Sequence, residues 1–542
     1  MRISRWSPLT LILAVLVFIG VFHNLKLWQA LAGRLDVWSL HGAGYMLTLF
    51  MVMLVILFLL SVVGQGRLLK PWLILLCLLS AVLSYFTTRL GVAFDPEMLR
   101  NVLDNLHEHN QQEAVDLLSA ALFKHVFWLG VLPAVLIAWI PLKPRPWYQT
   151  SLLHGLAAAL LVAVAAGLFM ANFKYATYFS RENRDLRIYI TPQFAVLSAW
   201  QLYDRLSRKA DAPFHAYAGH YRAGTPLRRR KTVGIMVLGE TARADHFALN
   251  GYERPTNPQL TGHNDLVSFR QVWSCGTSTA YSVPCMFSFL GQDEYSPEKA
   301  RRQSNSLDVL ADAGVGVYWI ENNSGCKGVC DRLTEGHYHS ILKPEDNFDA
   351  QLLTELDQLL PTLSHDSLIV LHSMGSHGPA YHQRYPQQQA AFKPYCASSA
   401  PQDCSPDDII NAYDNTIHYT DQVLAQIIQR LEAQPDMNTF MLYASDHGES
   451  LGENGVYLHG LPYLLAPDAQ KHVPMMLWAS PAYQDQHQFD LPRLATQRDA
   501  ALSHDWLSHT LLGAFGVMSP AYRQDLDLLQ LAHRRDADGL LQ

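Results

Sequence analysis

The sequence predicts a two-part protein: five α-helical membrane spans followed by an α/β domain. Three observations carry this reading. Apolar runs crowd the first third of the 542 residues, although hydrophobic residues make up an ordinary 49% of the whole. Six of the seven cysteines lie beyond that third. From Thr232 onward, short apolar strands alternate with helical stretches, the pattern of a largely parallel sheet. The net charge of −7 is mild and offers no basic field for nucleic acid.

Crossing a bilayer core takes roughly 20 apolar residues. Runs near 9–29, 43–63, 71–91, 123–141 and 151–171 have that length. The first reads as a span rather than a cleavable leader, because its apolar core is long and no small-residue cleavage site follows. Basic residues in short loops set orientation. Arg2 and Arg5 precede the first run, Arg67 and Lys70 follow the second, and Lys143 and Arg145 follow the fourth. The loop after the third is acidic, with Asp95, Glu97, Asp104, Glu108, Glu113 and Asp116 against Arg100. This alternation puts the N-terminus in the cytoplasm, and an odd number of spans then puts everything after about 172 outside.

Cysteine usage points the same way. Cys77 stands alone in the third run, while Cys275/Cys285, Cys326/Cys330 and Cys396/Cys404 form three close pairs in the exterior part. Disulfides persist in oxidising compartments, and nearest-neighbour pairing is the expectation. A cysteine metal site at Cys326-x-x-x-Cys330 is the rival, without a second pair at finger spacing. The expected division is a membrane domain over 1–172, a connector without strong periodicity over 173–230, and a catalytic domain over 231–542.

Within that last part, strands are predicted at Val233–Leu238, Gly316–Ile320, Ser367–His372, Thr439–Tyr443 and Val473–Trp478. Helices are predicted at Leu307–Ala313 and Asp407–Ala433. Active sites of such sheets lie beyond the carboxyl ends of the strands. Carboxylates and histidines recur there: Glu240 after the first strand, His377 after the third, Asp446 and His447 after the fourth, then His459. Glu240, Asp446 and His447 make a donor set suited to zinc.

Between these lies Ser274-Cys-Gly-Thr-Ser-Thr-Ala-Tyr-Ser-Val-Pro-Cys-Met-Phe-Ser288, with Thr277, Ser278 and Thr279 at the predicted start of a helix. A helix N-terminus suits an anionic phosphate. With three protein ligands on a metal, a hydroxyl can take the fourth place, and Thr279 is the candidate. Such a metal would activate the threonine and steady charge on a phosphoryl group. Taken alone, Asp-His-Gly-Glu could equally cap a helix. His377 and His459 could bind phosphate, shuttle a proton, ligate a second metal or be ordinary loop residues.

Gly239-Glu-Thr-Ala-Arg, Cys275-Gly-Thr-Ser-Thr-Ala-Tyr-Ser-Val-Pro-Cys285, Ser324-Gly-Cys-Lys-Gly-Val-Cys-Asp331, His377-Gly-Pro and Ser445-Asp-His-Gly-Glu449 together resemble the lipid A phosphoethanolamine transferases, a family that includes the mobile colistin-resistance enzymes. The resemblance runs through nearly the whole chain. It implies an exterior domain of the alkaline-phosphatase/sulfatase type, with Thr279 as nucleophile and Zn2+ held by Glu240, Thr279, Asp446 and His447. It further implies substrate contacts from Ser324, Lys327, His377 and His459. In the loop after the third span Asn101 and Glu113 match the family, whereas Asn105 stands where threonine is usual.

The implied chemistry moves phosphoethanolamine from phosphatidylethanolamine to a phosphate of lipid A in the lipopolysaccharide, through a covalent threonine adduct that releases diacylglycerol. Both substrates are membrane lipids, and a monomer is expected. Added amines on lipid A would weaken binding of polymyxins. Transfer to Kdo or heptose of the lipopolysaccharide core, a related membrane enzyme that transfers glycerol phosphate, a sulfatase-fold hydrolase, and an inert binding module are the competing readings.

Overall fold

The computed structural model describes residues 5–107, 117–207, 213–222, 230–263, 265–334, 336–341 and 348–532. The chain divides into two compact units, one of residues 1–99 and 118–207, the other of 100–117 and 208–542.

The first unit is helical. Among the described residues, four helices are long and apolar enough to cross a membrane: Leu40–Ser61, Gly66–Leu90, Ala120–Trp139 and Trp147–Ala171. A fifth arises if Pro8–Phe22 and Leu25–Arg34, which meet at 55°, form one span. The sequence predicts this first span as unbroken, and the bend is held by a distant segment. At the break the buried Asn24 donates from Nδ2 to the Ile19 carbonyl at 3.1 Å and to the Thr191 carbonyl at 2.8 Å. Its Oδ1 accepts from the Thr191 amide at 2.8 Å. Two of its three bonds thus go to Thr191, and they tie the break to a segment far along the chain. Along Trp147–Ala171, Leu152, Leu156 and Leu160 are 59–65% exposed. An outward apolar stripe of this kind needs lipid around it. Residues after 172 continue as helices Phe173–Glu182 and Gln193–Ser207 within this unit. The expected aperiodic connector is therefore helical over much of its first half. Cys77 is buried and unbridged.

The second unit is built on a seven-stranded sheet. Its strands in chain order are β1 (Lys231–Gly239), β2 (Leu266–Phe269), β3 (Gly316–Glu321), β4 (Tyr338–Ser340), β5 (Ser367–His372), β6 (Met437–Ser445) and β7 (Met475–Ala479). They lie in the spatial order β2-β7-β6-β1-β5-β3-β4. The run from β6 to β4 is parallel, whereas β7 pairs antiparallel with both β6 and β2. The predicted Val473–Trp478 strand thus exists but runs against its neighbours. Both edge strands escaped the sequence reading, since three or four residues are too few to show a period.

Alternate residues of the central strands feed two cores. Met236, Leu238, Leu368, Val370 and Leu442 face one, and Val233, Ile235, Val237, Ile369 and Met441 the other. Burial on both faces explains why these strands read as continuous apolar runs. Helix Pro406–Glu432 covers the second face through Ile409, Tyr413, Ile417, Leu424 and Ile427. It starts cleanly because Ser405 caps the Asp408 amide, Pro406 fits the first turn, and Asp407 and Asp408 favour the positive end of the dipole. Helices Thr279–Met286, Ser306–Asp312 and Asp505–Phe515 contribute to the first core.

Candidate active site

Register places the functional residues. Gly239 pairs with Ser445, Leu238 with His372, and His372 with Glu321. The next residue beyond each parallel strand, Glu240, Asp446, Ser373 and Asn322, therefore emerges at one sheet edge. Thr241, held at φ 59°, turns the chain sharply after Glu240. It gives its amide to Asp446 Oδ1 at 3.1 Å and its hydroxyl to Glu240 Oε1 at 2.5 Å. Tyr413, from the long helix, clamps the same turn by donating to the Thr241 carbonyl at 2.7 Å. Gly375 packs so closely that a Cβ there would lie 2.6 Å from the Glu240 carbonyl oxygen.

One ligand atom from each of Glu240, Asp446 and His447 lies within 4.8 Å of the others, and all three residues are fully buried. Thr279 opens helix Thr279–Met286, and the Cys275–Cys285 disulfide closes the loop before it. Its Oγ1 lies 3.3 and 3.2 Å from the two Glu240 oxygens and 3.3 Å from His447 Nε2. The neighbouring Thr277 hydroxyl is instead donated to the Leu461 carbonyl at 2.6 Å.

The donor set fits a divalent cation. His447 Nδ1 sits 3.0 Å from the Gly448 carbonyl, which can only accept, so Nε2 turns its lone pair toward the cluster. Asp446 Oδ1 takes the Thr241 and His447 amides, whereas its buried Oδ2 has no hydrogen-bond partner. Burial raises the Asp446 carboxyl, and the adjacent Glu240 charge raises it further. Burial lowers the His447 imidazole, but Asp446 and Glu240 outweigh it and the net shift is upward. Two buried carboxylates beside one imidazole call for positive charge, and the unbonded oxygen points to a ligand. Carboxylate, imidazole and hydroxyl donors in this number are the set zinc accepts.

Beside this cluster lies a second group. The His459 ring centre is 4.3 Å from that of His447 and 5.4 Å from that of His377. Burial and the neighbouring His447 hold His459 down at about 3. Its Nδ1 lies 3.4 Å from Glu449 Oε2, and burial pushes that carboxyl well above its usual range. Lys327 occupies the five-residue Cys326–Cys330 disulfide loop at φ 52°, and its Nζ donates to the Ser324 carbonyl. Ser324 is buried, and its amide donates to Asn323 Oδ1 at 2.6 Å. Cys396 and Cys404 form the third disulfide. Asn101 is buried on helix Pro96–His107 with its Oδ1 unbonded. Glu113 and the acidic stretch around it lie outside the described residues.

Comparison with known proteins gives the family. Residues 50–206 match the family described as phosphoethanolamine transferase EptA/EptB, and residues 233–517 match the sulfatase family. The chain is 39% identical over 533 residues to phosphatidylethanolamine transferase Mcr-1 of Escherichia coli, covering 94% of this chain and 95% of that protein. The chain belongs to the phosphoethanolamine transferase family. It is 37% identical to phosphoethanolamine transferase EptA of Escherichia coli K12, over 95% of each chain. Its structure is similar to the integral membrane lipooligosaccharide phosphoethanolamine transferase A of Neisseria meningitidis, with a TM-score of 0.91 at 32% identity. That likeness covers 98% of this chain and 100% of the other. The predicted sulfatase-type fold of the second unit is the one found.

Three residues of this transferase's site escaped the sequence reading. Asn323 donates from Nδ2 to Glu240 Oε2 at 3.1 Å and to the Ser373 carbonyl at 2.7 Å, tying three strand ends together. His504 accepts the Cys275 amide on Nδ1 at 3.1 Å and donates from Nε2 to the Ser445 carbonyl at 2.9 Å. It thereby links the loop before Thr279 to the strand end before Asp446. Glu449, visible only as the end of a motif, partners His459. Asn323 follows a strand end, which was a usable signal; His504 had none.

Proposed function

We propose that this transferase moves phosphoethanolamine from phosphatidylethanolamine to a phosphate of lipid A, with Thr279 as nucleophile and zinc held by Glu240, Asp446, His447 and Thr279. The observation that carries the reading is the Thr279 hydroxyl lying 3.2–3.3 Å from Glu240 and His447 inside a buried three-ligand cluster. When bound, zinc lowers the pKa of the hydroxyl and offsets charge on the phosphoryl oxygens.

The chain's own residues do the rest. Thr279 gives up its hydroxyl proton as Oγ forms a bond to phosphorus and the bond to the diacylglycerol oxygen breaks, and a proton passes to that oxygen. A lipid A phosphate oxygen then displaces Oγ and restores the threonine. Backbone amides at the start of helix Thr279–Met286 face the developing negative charge. Lys327 and Ser324 hold the phosphate, and His377 and His459, buried beside the cluster, contact the substrate, His459 as a neutral imidazole. Asn101 and Glu113 meet the lipid headgroup. Residues 1–172 form five inner-membrane spans with the N-terminus in the cytoplasm, and the catalytic domain lies in the periplasm as a monomer. The amine added to lipid A lowers susceptibility to polymyxins.

The test uses purified full-length protein with phosphatidylethanolamine and lipid A. Mass spectrometry should find phosphoethanolamine on lipid A, and on the Thr279 peptide when the acceptor is withheld. Product carrying the group on Kdo or heptose would move the acceptor to the core. Free phosphoethanolamine as the main product would make the protein a hydrolase.

A further inference from the structure

Residues 373–377 lead from the end of β5 to His377, and backbone groups along this loop are held from several sides. The Ser373 carbonyl accepts from Asn323 Nδ2 at 2.7 Å, and the Ser376 amide donates to the Glu240 carbonyl at 3.0 Å. The buried Arg384 gives Nε to the His377 carbonyl at 2.7 Å. Between these points the Met374 and Gly375 amides both donate to Asp349, at 2.9 and 3.1 Å. Successive amides around a residue such as Gly375, at φ 52°, form a concavity of the kind that binds an anion. Here a side chain of the protein supplies the anion.

Asp349 stands at the start of helix Ala350–Leu359, where an aspartate side chain ordinarily caps the free amides of its own helix. It makes no such bond. Its Oδ1 instead accepts from Met374 and, at 2.9 Å, from Asn322 Nδ2, while its Oδ2 accepts from Gly375. Asn322 returns its own Oδ1 to the Met374 amide at 3.1 Å. A carboxylate only 3% exposed is costly to bury, and these bonds offset that cost. They all run to the two segments that carry Asn323 and His377. The Glu240 side chain is held separately, by Thr241 and Asn323.

We propose that Asp349 is a positioning residue of this transferase, setting His377 against the substrate through the backbone of residues 373–377. The proposal rests on the transferase reading above and adds a residue outside both the ligand set and the substrate contacts. Asp349→Asn tests it, because whichever way the new amide turns, its NH2 meets a backbone N–H of the loop. In full-length protein in detergent, diacylglycerol release from phosphatidylethanolamine should slow roughly ten- to hundredfold with metal content unchanged. In a His377→Ala background the same substitution should cost less than about twofold, because the group it positions is gone. A matching cycle in affinity for fluorescent phosphatidylethanolamine, on inactive Thr279→Ala protein, should show the same pattern without turnover. Asp527→Asn controls for general loosening, since Asp527 is a buried carboxylate that accepts from Tyr522 and the Leu529 amide. It should lower the unfolding midpoint and leave release within about twofold of wild type. Equal costs of Asp349→Asn with and without His377 overturn the positioning role. So does loss of metal from Asp349→Asn, or an equal slowing by Asp527→Asn. Wild-type protein that releases no diacylglycerol would bring down the transfer chemistry itself, and the positioning role with it.

Discussion

Two neighbouring groups of side chains sit at the same sheet edge and are organised differently. In the Glu240–Asp446–His447–Thr279 cluster, the three metal-type ligands converge within 4.8 Å, and backbone groups orient them: the Gly448 carbonyl fixes His447 and two amides hold Asp446. In the His377–His459–Glu449 group the two rings meet edge to face instead, and burial keeps His459 neutral. Both groups are buried and rich in the same residue types. What separates them is whether the lone pairs are aimed at a common point.

The sharpest way to break this comparison is Thr279→Ala. Under the proposed mechanism, transfer should fall by more than about a thousandfold while the thermal unfolding midpoint stays put. Normal lipid A modification by that variant would leave the converged cluster without its chemistry. Asp446→Asn should empty the metal from the purified protein and cost at least about a hundredfold in rate. His459→Ala should retain the metal, measured by elemental analysis, and lose activity by roughly ten- to hundredfold. If His459→Ala emptied the metal as fully as Asp446→Asn, the two groups would be one site.

Asn323→Ala tests orientation, since Asn323 holds Glu240 without belonging to the ligand set. Metal affinity should drop about ten- to hundredfold, read by competition with a chromogenic chelator. The smallest effect is a slope. Burial holds His504 at about 3, below its ordinary 6.5. The folded state therefore binds fewer protons than the unfolded one between these values. The stability this neutral imidazole contributes is complete above pH 6.5 and is lost as pH falls toward 3. By pH 4 that loss is on the order of 3 kcal/mol. In His504→Asn the acid-side decline of the unfolding midpoint should be visibly shallower. An equal decline in both proteins would show that His504 does not act as a neutral bridge.

The sequence by itself settled whatever is written in local composition. Apolar runs of bilayer length announced the spans, because lipid demands unbroken apolar surface. The buried central strand Ser367–His372 matched its predicted ends, because burial on both faces leaves a continuous apolar string between turn residues. The motifs around Glu240, Thr279 and Asp446 could be read because each follows a strand or opens a helix. Tertiary structure alone decided what depends on partners far away in the chain. The bend in the first span comes from Thr191, 167 residues beyond Asn24. The direction of β7 follows from which edges it joins. That the Thr279 hydroxyl and not that of Thr277 lies against Glu240 is seen only in the fold, where the Leu461 carbonyl takes the other. Asn323 and His504 become part of the site only when parallel register brings separate strand ends into hydrogen-bonding range, and a distance between remote segments has no local signature.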